Sequence, residues 1–338
     1  MKFEILNDGS GVFAYADPAL QAAAEKFEAR AADFAAGGIG RKRMIASIEQ
    51  AMREHATLAA PYSLMAVILL RDGKPERALK TLQRGVAALG RLLPPGFAGR
   101  IEWRRAENQA YLDLLRLRVT CLSGLRQHKE AAAHACELLA LDPDDGACIR
   151  FAAGHELLRA GDVAQACRLF RDFGRQYPPF CYELGLALFR EGQLVAAATA
   201  FRRGIAGNPY IALGLTEGMV PNAYPVAHYD WLEGPHAAAS YLGTYGDVWY
   251  QADEPNRFLY WLFNHSKVLL ERAAIMAAKE ARPFGELAQA GDALREEAEV
   301  TDAIDDALSA AIVQLRQTPE GMLWPWNTYQ GNEAVTIH

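Results

Sequence analysis

The stretch Leu158-Arg159-Ala160-Gly161-Asp162-Val163-Ala164-Gln165-Ala166, with Phe170, Phe173 and Pro178 downstream, decides how this chain folds. It recurs as Phe189-Arg190-Glu191-Gly192-Gln193-Leu194-Val195-Ala196-Ala197, followed by Phe201, Gly204 and Pro209. A third copy reads Leu70-Arg71-Asp72-Gly73-Lys74-Pro75-Glu76-Arg77-Ala78, followed by Leu82 and Gly85. A fourth is degenerate: it keeps Ala131, Ala135, Leu138 and Pro143 but has Arg126 where the others have glycine. Each copy reads as the junction of two helices. The glycine ends helix A by taking a left-handed backbone at low cost. The alanine five residues later lets helix B approach closely, and the aromatic or leucine four further on fills the space between them. The proline stops helix B, because it cannot continue the hydrogen bonding.

Gly154 and Gly185 hold the matching close-approach position on helix A, with Ala66 there in the first copy. The alanines recur after 35 residues (Ala131 to Ala166) and after 31 (Ala166 to Ala197). This pattern resembles the tetratricopeptide repeat, whose period is about 34 residues. The expected fold class is therefore all-α: a tetratricopeptide-type α-α superhelix, a right-handed solenoid, with helical N- and C-terminal caps. The units fall at about 59–92, 112–145, 147–178 and 179–211. Relative to the family period, about 19 residues are inserted between Ala78 and Ala131, at about 93–111. The insert contains Pro94-Pro95-Gly96-Phe97-Ala98-Gly99-Arg100-Ile101-Glu102-Trp103, then Asn108. That string resembles one in a bacterial branch of tetratricopeptide proteins similar to the suppressor-of-tumorigenicity-seven family, in which a Pro-rich Phe-x-Gly-x-hydrophobic-x-Trp segment precedes an Asn-bearing helix. The resemblance runs from about Leu64 to Glu280 and implies a structural and regulatory protein with no enzyme activity. The membrane segments of the family's eukaryotic members are missing from this sequence.

The flanks read as caps. Residues 1–58 hold a small hairpin, with Phe3–Leu6 and Val12–Tyr15 on either side of Asn7-Asp8-Gly9-Ser10-Gly11, then two helices broken at Gly37-Gly38-Ile39-Gly40. An end repeat must hide its apolar face, which is the role expected of that helix pair. Residues 212–338 read as a C-terminal helical cap and tail. Its helices are expected at about 234–251, 254–281, 284–298 and 302–317, the last with Ile304, Leu308, Ile312 and Leu315 on one face. The tail carries Trp324-Pro325-Trp326 and is expected to fold back, since two free tryptophans would expose large apolar area.

Composition narrows the function. Of 338 residues, 51% are hydrophobic and 22% charged, which makes a folded chain rather than a disordered one. With 35 Lys+Arg against 41 Asp+Glu, the net charge of -6 weighs against nucleic-acid and anionic-membrane partners. The longest stretch without a charge, His55–Leu70, contains Pro61 and is too short to span a bilayer. Glu4 and Asp8 stand where a signal peptide would place its apolar core. Five cysteines without a C-x-x-C read as reduced, buried thiols, and the expected location is cytoplasmic.

In such a stack one side of each helix A faces a concave groove. The groove positions are Ser63, Val67 and Leu70 in the first unit, Arg116 and Thr120 in the second, Phe151, His155 and Leu158 in the third, and Tyr182, Leu186 and Phe189 in the fourth. Lys/Asn/Arg do not stand where the two-carboxylate clamp of chaperone co-factors needs them. The groove instead offers apolar and aromatic surface, suited to a peptide or a partner helix. Arg71, Arg159 and Arg190 share one repeat position and read either as a ladder for an acidic partner's carboxylates or as cations offsetting helix dipoles. The expected role is non-catalytic interaction with a protein or peptide, acidic with bulky apolar side chains. Self-association, or filling of the groove by the chain's own C-terminal region, is the variant of that reading. No cofactor or metal is expected.

A competing class is a metal-dependent enzyme or binding module at His228, Asp230 and His236, although Pro235 intervenes and the spacing matches no helix face. His155-Glu156 opens like the zinc motif H-E-x-x-H, but residue 159 is arginine. Gly37–Gly40 before Arg41-Lys42-Arg43 lacks both the preceding strand and the Lys-Ser/Thr of a phosphate loop. The dense aromatic run from Tyr210 through Tyr224, Tyr241, Trp249, Tyr250 and Phe258 to Phe263 reads as cap core, with a ligand cavity as the alternative.

Overall fold

A computed structural model describes residues 1–249, 253–282 and 291–327. The described residues are mainly α-helical, with two small two-stranded hairpins. The chain divides into two compact units, Met1–Asp162 and Val163–His338.

The first unit opens with strands β1 (Lys2–Ile5) and β2 (Gly11–Ala14), paired antiparallel with Phe3 opposite Phe13. Asp8 closes their turn by accepting the Ser10 N–H at 3.0 Å and its hydroxyl at 2.6 Å. Helices α1 (Pro18–Ala35) and α2 (Arg41–Glu54) follow, the first capped by Asp17, whose carboxylate accepts the Leu20 N–H at 2.8 Å. The segment Gly37–Gly40 is the connection between them. Next come α3 (Ala59–Arg71), α4 (Pro75–Gly90), α5 (Ala106–Gly124), α6 (His128–Leu141) and α7 (Ile149–Ala160).

One turn recurs four times. The Lys74 N–H donates to Leu69 O, Gln127 to Leu122, Asp162 to Leu157 and Gln193 to Leu188, each at 2.9 Å. The residue before the donor is left-handed in every case: Gly73 at φ +66°, Gly161 at +85°, Gly192 at +74° and Arg126 at +58°. This six-residue closure satisfies carbonyls that the end of a helix would otherwise leave bare. Arg126 thus adopts the backbone its position demands, against the preference of a residue with a Cβ. The four alanines five residues on, Ala78, Ala131, Ala166 and Ala197, have no exposed surface. Close approach is equally tight elsewhere: a Cβ on Gly85 would stand 2.8 Å from the Tyr62 ring, and one on Gly204 2.9 Å from Tyr182.

Helix α5 starts at Ala106, inside the insert expected at about 93–111, and its first turns are held by the hairpin. Asn108, fully buried, donates to Gly11 O and Glu102 O at 3.1 Å and accepts the Phe13 N–H at 3.0 Å. Tyr111 lies 4.8 Å from the Phe13 ring. The insert adds Gly11 N–H to Arg100 O at 2.7 Å, Ile101 N–H to Leu141 O at 2.8 Å, and Trp103 N–H to Asp142 Oδ1 at 3.1 Å. It therefore joins the N-terminal hairpin to the end of α6.

The second unit comprises α8 (Val163–Phe173), α9 (Pro178–Arg190), α10 (Leu194–Gly207), α11 (Pro209–Glu217), α12 (Pro235–Tyr245), α13 (Asp253–Phe263), α14 (Ser266–Glu280), α15 (Gly291–Asp302), α16 (Asp306–Ile312) and the hairpin β3 (Arg316–Thr318) with β4 (Gly321–Leu323). Its core gathers Tyr182, Leu186 and Phe201 with Tyr210, Tyr241, Trp249, Phe258, Trp261 and Trp326. The aromatic run is thus mostly core, although Trp231 is 61% exposed and Tyr250 lies outside the described residues.

Several cap expectations need correction. The helix expected at 234–251 ends at Tyr245 and passes into a single 3-10 turn, Gly246–Trp249. The helix expected at 254–281 is two, because His265 caps α14 by accepting the Lys267 N–H at 3.3 Å. Of the helix expected at 284–298, residues 284–290 lie outside the described set, and α15 runs on to Asp302. The last helix is only α16: Asp305 caps it by accepting the Ala307 N–H at 3.0 Å, and β3 claims residues 316–318. Leu315 consequently lies past the helix and is 45% exposed.

Buried ion pairs fasten this cap. Arg202 is bonded to Glu271 and gives Nη1–H to Asp305 O at 2.7 Å and to Ser309 Oγ at 2.9 Å. Lys279 and Arg282 are both bonded to Glu233 and Glu297. Burial alone would raise the Glu233 carboxyl, but the Arg282 and Lys279 charges bonded to it hold it below the usual carboxylate range.

Candidate functional site

Helices α3 and α5 lie side by side in the first unit. Met65, Ile68 and Leu69 turn one side of α3 inward, and Ser63, Val67 and Leu70 on the other side are only half-buried. The Ser63 hydroxyl is buried with no hydrogen-bond partner. Arg71 at the end of α3 is exposed. On α5, half-buried Arg116 is bonded to Asp113 at 2.7 and 2.9 Å, and exposed Thr120 donates to Arg116 O at 3.3 Å. Here Val67, Leu70, Arg71, Arg116 and Thr120 are at least partly accessible and carry mixed apolar and charged chemistry, while the Ser63 hydroxyl is turned in.

On α7 the outcome differs. Phe151 is half-buried, His155 has no exposed surface and Leu158 is 9% exposed. Arg159 donates to Glu156 Oε1 at 2.9 Å. Glu156 itself is wholly buried and also accepts from Ser123 Oγ at 2.7 Å and is bonded to His128 Nδ1 at 2.8 Å. One carboxylate thus ties the end of α5, the start of α6 and α7. The sequence offered only the failed zinc motif for Glu156; an acidic residue between buried Gly154 and Leu157 was its one signal.

The expected contacts on α9 are corrected by the second unit's own packing. Tyr182 and Leu186 have no exposed surface, and the Tyr182 hydroxyl donates to Asn208 O at 2.8 Å, its burial pushing the phenol well above its ordinary value. Phe189 lies 5.1 Å from Phe258 and 6.3 Å from Trp326. Arg190 donates to Val248 O at 3.2 Å. α13 and the tail therefore cover Phe189 on the side of α9 that the period exposes, and Tyr182, Leu186 and Phe189 serve the core while Arg190 stays exposed. The arginine row is interrupted at its middle member: Arg159 is paired with buried Glu156, whereas Arg190 gives one N–H to a carbonyl and remains exposed, as Arg71 does.

His228, Asp230 and His236 each have a local setting. His228 Nε2 is 3.2 Å from the Tyr210 hydroxyl, Asp230 accepts the Leu232 N–H at 2.9 Å to cap a 3-10 turn, and His236 is exposed in the first turn of α12. Among the described residues no three His, Cys, Asp or Glu side chains come together closely enough to hold a metal ion. Cys121, Cys167 and Cys181 are buried, with burial pushing Cys121 up to about 11 and Cys181 to about 12, so neither is a thiolate nucleophile. Cys148 departs from the expectation: it is exposed at the start of α7.

Among the described residues no helix is long and apolar enough to cross a membrane. No family model matches the chain, and no curated protein matches it.

Proposed function

We propose that the chain is a tetratricopeptide-type interaction protein, akin to the bacterial branch near the suppressor-of-tumorigenicity-seven family, which acts without catalysis in the cytoplasm. Its helix pairs form a rigid frame, and a peptide or partner helix lies across α3 and α5 in the first unit. Val67 and Leu70 receive bulky apolar side chains, while Arg71, Arg116 and Thr120 supply hydrogen bonds and charge. The observation that carries this reading is a contrast: the α9 side is packed under Phe258 and Trp326, and the α3 side keeps Val67 and Leu70 partly open. The recurring left-handed turn supports the repeat part of the reading.

Selection of a displayed random-peptide library on the purified chain tests it. Enriched peptides are expected to combine aromatic or aliphatic residues with Asp or Glu, and to lose binding to Val67→Glu/Arg116→Glu. If every enriched peptide binds the double variant as it binds the parent, the assignment of the α3 and α5 side is contradicted.

A further inference from the structure

The opposite side of α3 carries a second groove. It lies between α2 and α4, has a volume of 270 Å³, and is floored by Ile45, Met52, Met65 and Leu69. Arg77 and Arg84 of α4 form one wall. Residues 41–105 hold thirteen Lys and Arg against five Asp and Glu, in a protein whose net charge is -6. α4 carries three of these cations, Arg77, Lys80 and Arg84, against one acid, Glu76. Arg77, Lys80 and Arg84 on α4 and Arg91 just past its end are exposed, and none has an ion-pair partner among the described residues. The acids near the groove are fewer: Asp72 is occupied by Arg41 and Lys74, leaving Glu49 at the edge and Glu76 at the start of α4.

The spacing of the cations has a meaning. Arg77, Arg84 and Arg91 are seven residues apart, two turns of helix, so they stand in one row about 20 Å long. A second helix lying along α4 presents side chains to that row at the same interval, as the flanking charges of paired helices do. Beside the row is an apolar floor with two methionines, whose flexible thioethers adapt to differing partner side chains. Nucleic acid is a poorer match, since among the described residues no aromatic ring lines the groove to stack on a base.

We infer that the α2–α4 groove docks an acidic amphipathic helix of a partner protein, with its carboxylates on Arg77, Arg84 and Arg91 and its apolar side chains over Met52, Met65 and Leu69. This surface is independent of the one across α3 and α5 and does not rest on it.

The test uses the full chain and a library of helical peptides with Glu fixed at every seventh position and Leu, Ile, Met or Phe varied between. The tightest member is synthesised with a fluorophore, together with its Glu→Gln version, and a 20-nucleotide oligo(U) serves as the competing polyanion. Anisotropy is expected to show saturable binding of the Glu peptide that weakens with salt. Binding at least tenfold weaker is expected for the Gln peptide and for Arg77→Glu/Arg84→Glu, with that variant's thermal unfolding unchanged, while Val67→Glu/Arg116→Glu binds as the parent does. Equal binding of the Glu and Gln peptides overturns the proposal. So does tighter binding of oligo(U) at the same arginines, which makes the site one for nucleic acid, or a dimer that Arg77→Glu/Arg84→Glu dissolves, which makes it a self-contact. Loss of the peptide only in Val67→Glu/Arg116→Glu moves it to the other side of α3 and overturns this inference, leaving the proposed function intact.

Discussion

The Asn108 amide oxygen accepts the N–H of Phe13 at 3.0 Å, joining the first turn of α5 to a strand at the start of the chain. Its amide nitrogen serves Gly11 and Glu102 at the same time. With no exposed surface, Asn108 leaves these groups no water to turn to when it is removed. Asn108→Ala is expected to destabilise the first unit by about 3 kcal/mol, because orphaned buried polar groups keep their full desolvation penalty. Chemical denaturation measures the loss, and hydrogen exchange at the Phe13 amide should quicken in step. An unchanged midpoint contradicts the joining role.

Arg126 offers a prediction of opposite sign. A left-handed φ costs a residue with a Cβ about 1–2 kcal/mol, and glycine returns part of that gain through its freer unfolded chain. Arg126→Gly should therefore stabilise by about 0.5–1 kcal/mol, whereas Gly192→Ala, at φ +74°, should destabilise. Thermal unfolding of the two variants decides the matter.

These two residues also show what was legible beforehand. The glycine and alanine signals mark positions where backbone and close packing leave few choices, so they can be read locally, and even Arg126 stood out as the exception at its place. Asn108 was visible as a residue, but its partners Gly11 and Phe13 lie too far back in the chain for any period to announce. The α9 side shows the same limit: the variant in which the chain's own C-terminal region fills the groove can be named from the sequence, but not the residues that do so. Periodicity tells which side of α9 is apolar, and only Phe258 and Trp326, much later in the sequence, tell what covers it. The end of the last helix was misplaced because Leu315 continues an apolar spacing that the β3–β4 pairing overrides.

Trp326 should hold the tail on the second unit. It lies 4.6 Å from Phe258 and 5.4 Å from Trp261 and is 1% exposed. Trp326→Ala is expected to cost about 3–5 kcal/mol, the range for a large buried aromatic. It should also make Phe189 accessible to solvent, which proteolysis near residue 189 or binding of a hydrophobic dye detects.

Glu233 gives the chain an acid-sensitive contact. Its carboxyl titrates lower in the folded state than in the unfolded one, so its contribution is complete above the ordinary carboxylate range and disappears as pH falls through the folded value. The stability difference between the parent and Glu233→Gln should accordingly be largest near neutral pH and shrink on acidification. A constant difference across that range contradicts the pairing with Lys279 and Arg282.

The central claim is that the side of α3 and α5 bearing Val67 and Arg116 is where a partner binds. Hydrogen–deuterium exchange of the full chain, with and without a saturating library-selected peptide, tests it most directly. The account predicts slowed exchange at 59–71 and 106–124, with α9 unchanged. Protection confined to the second unit, or none in α3 and α5, would contradict it.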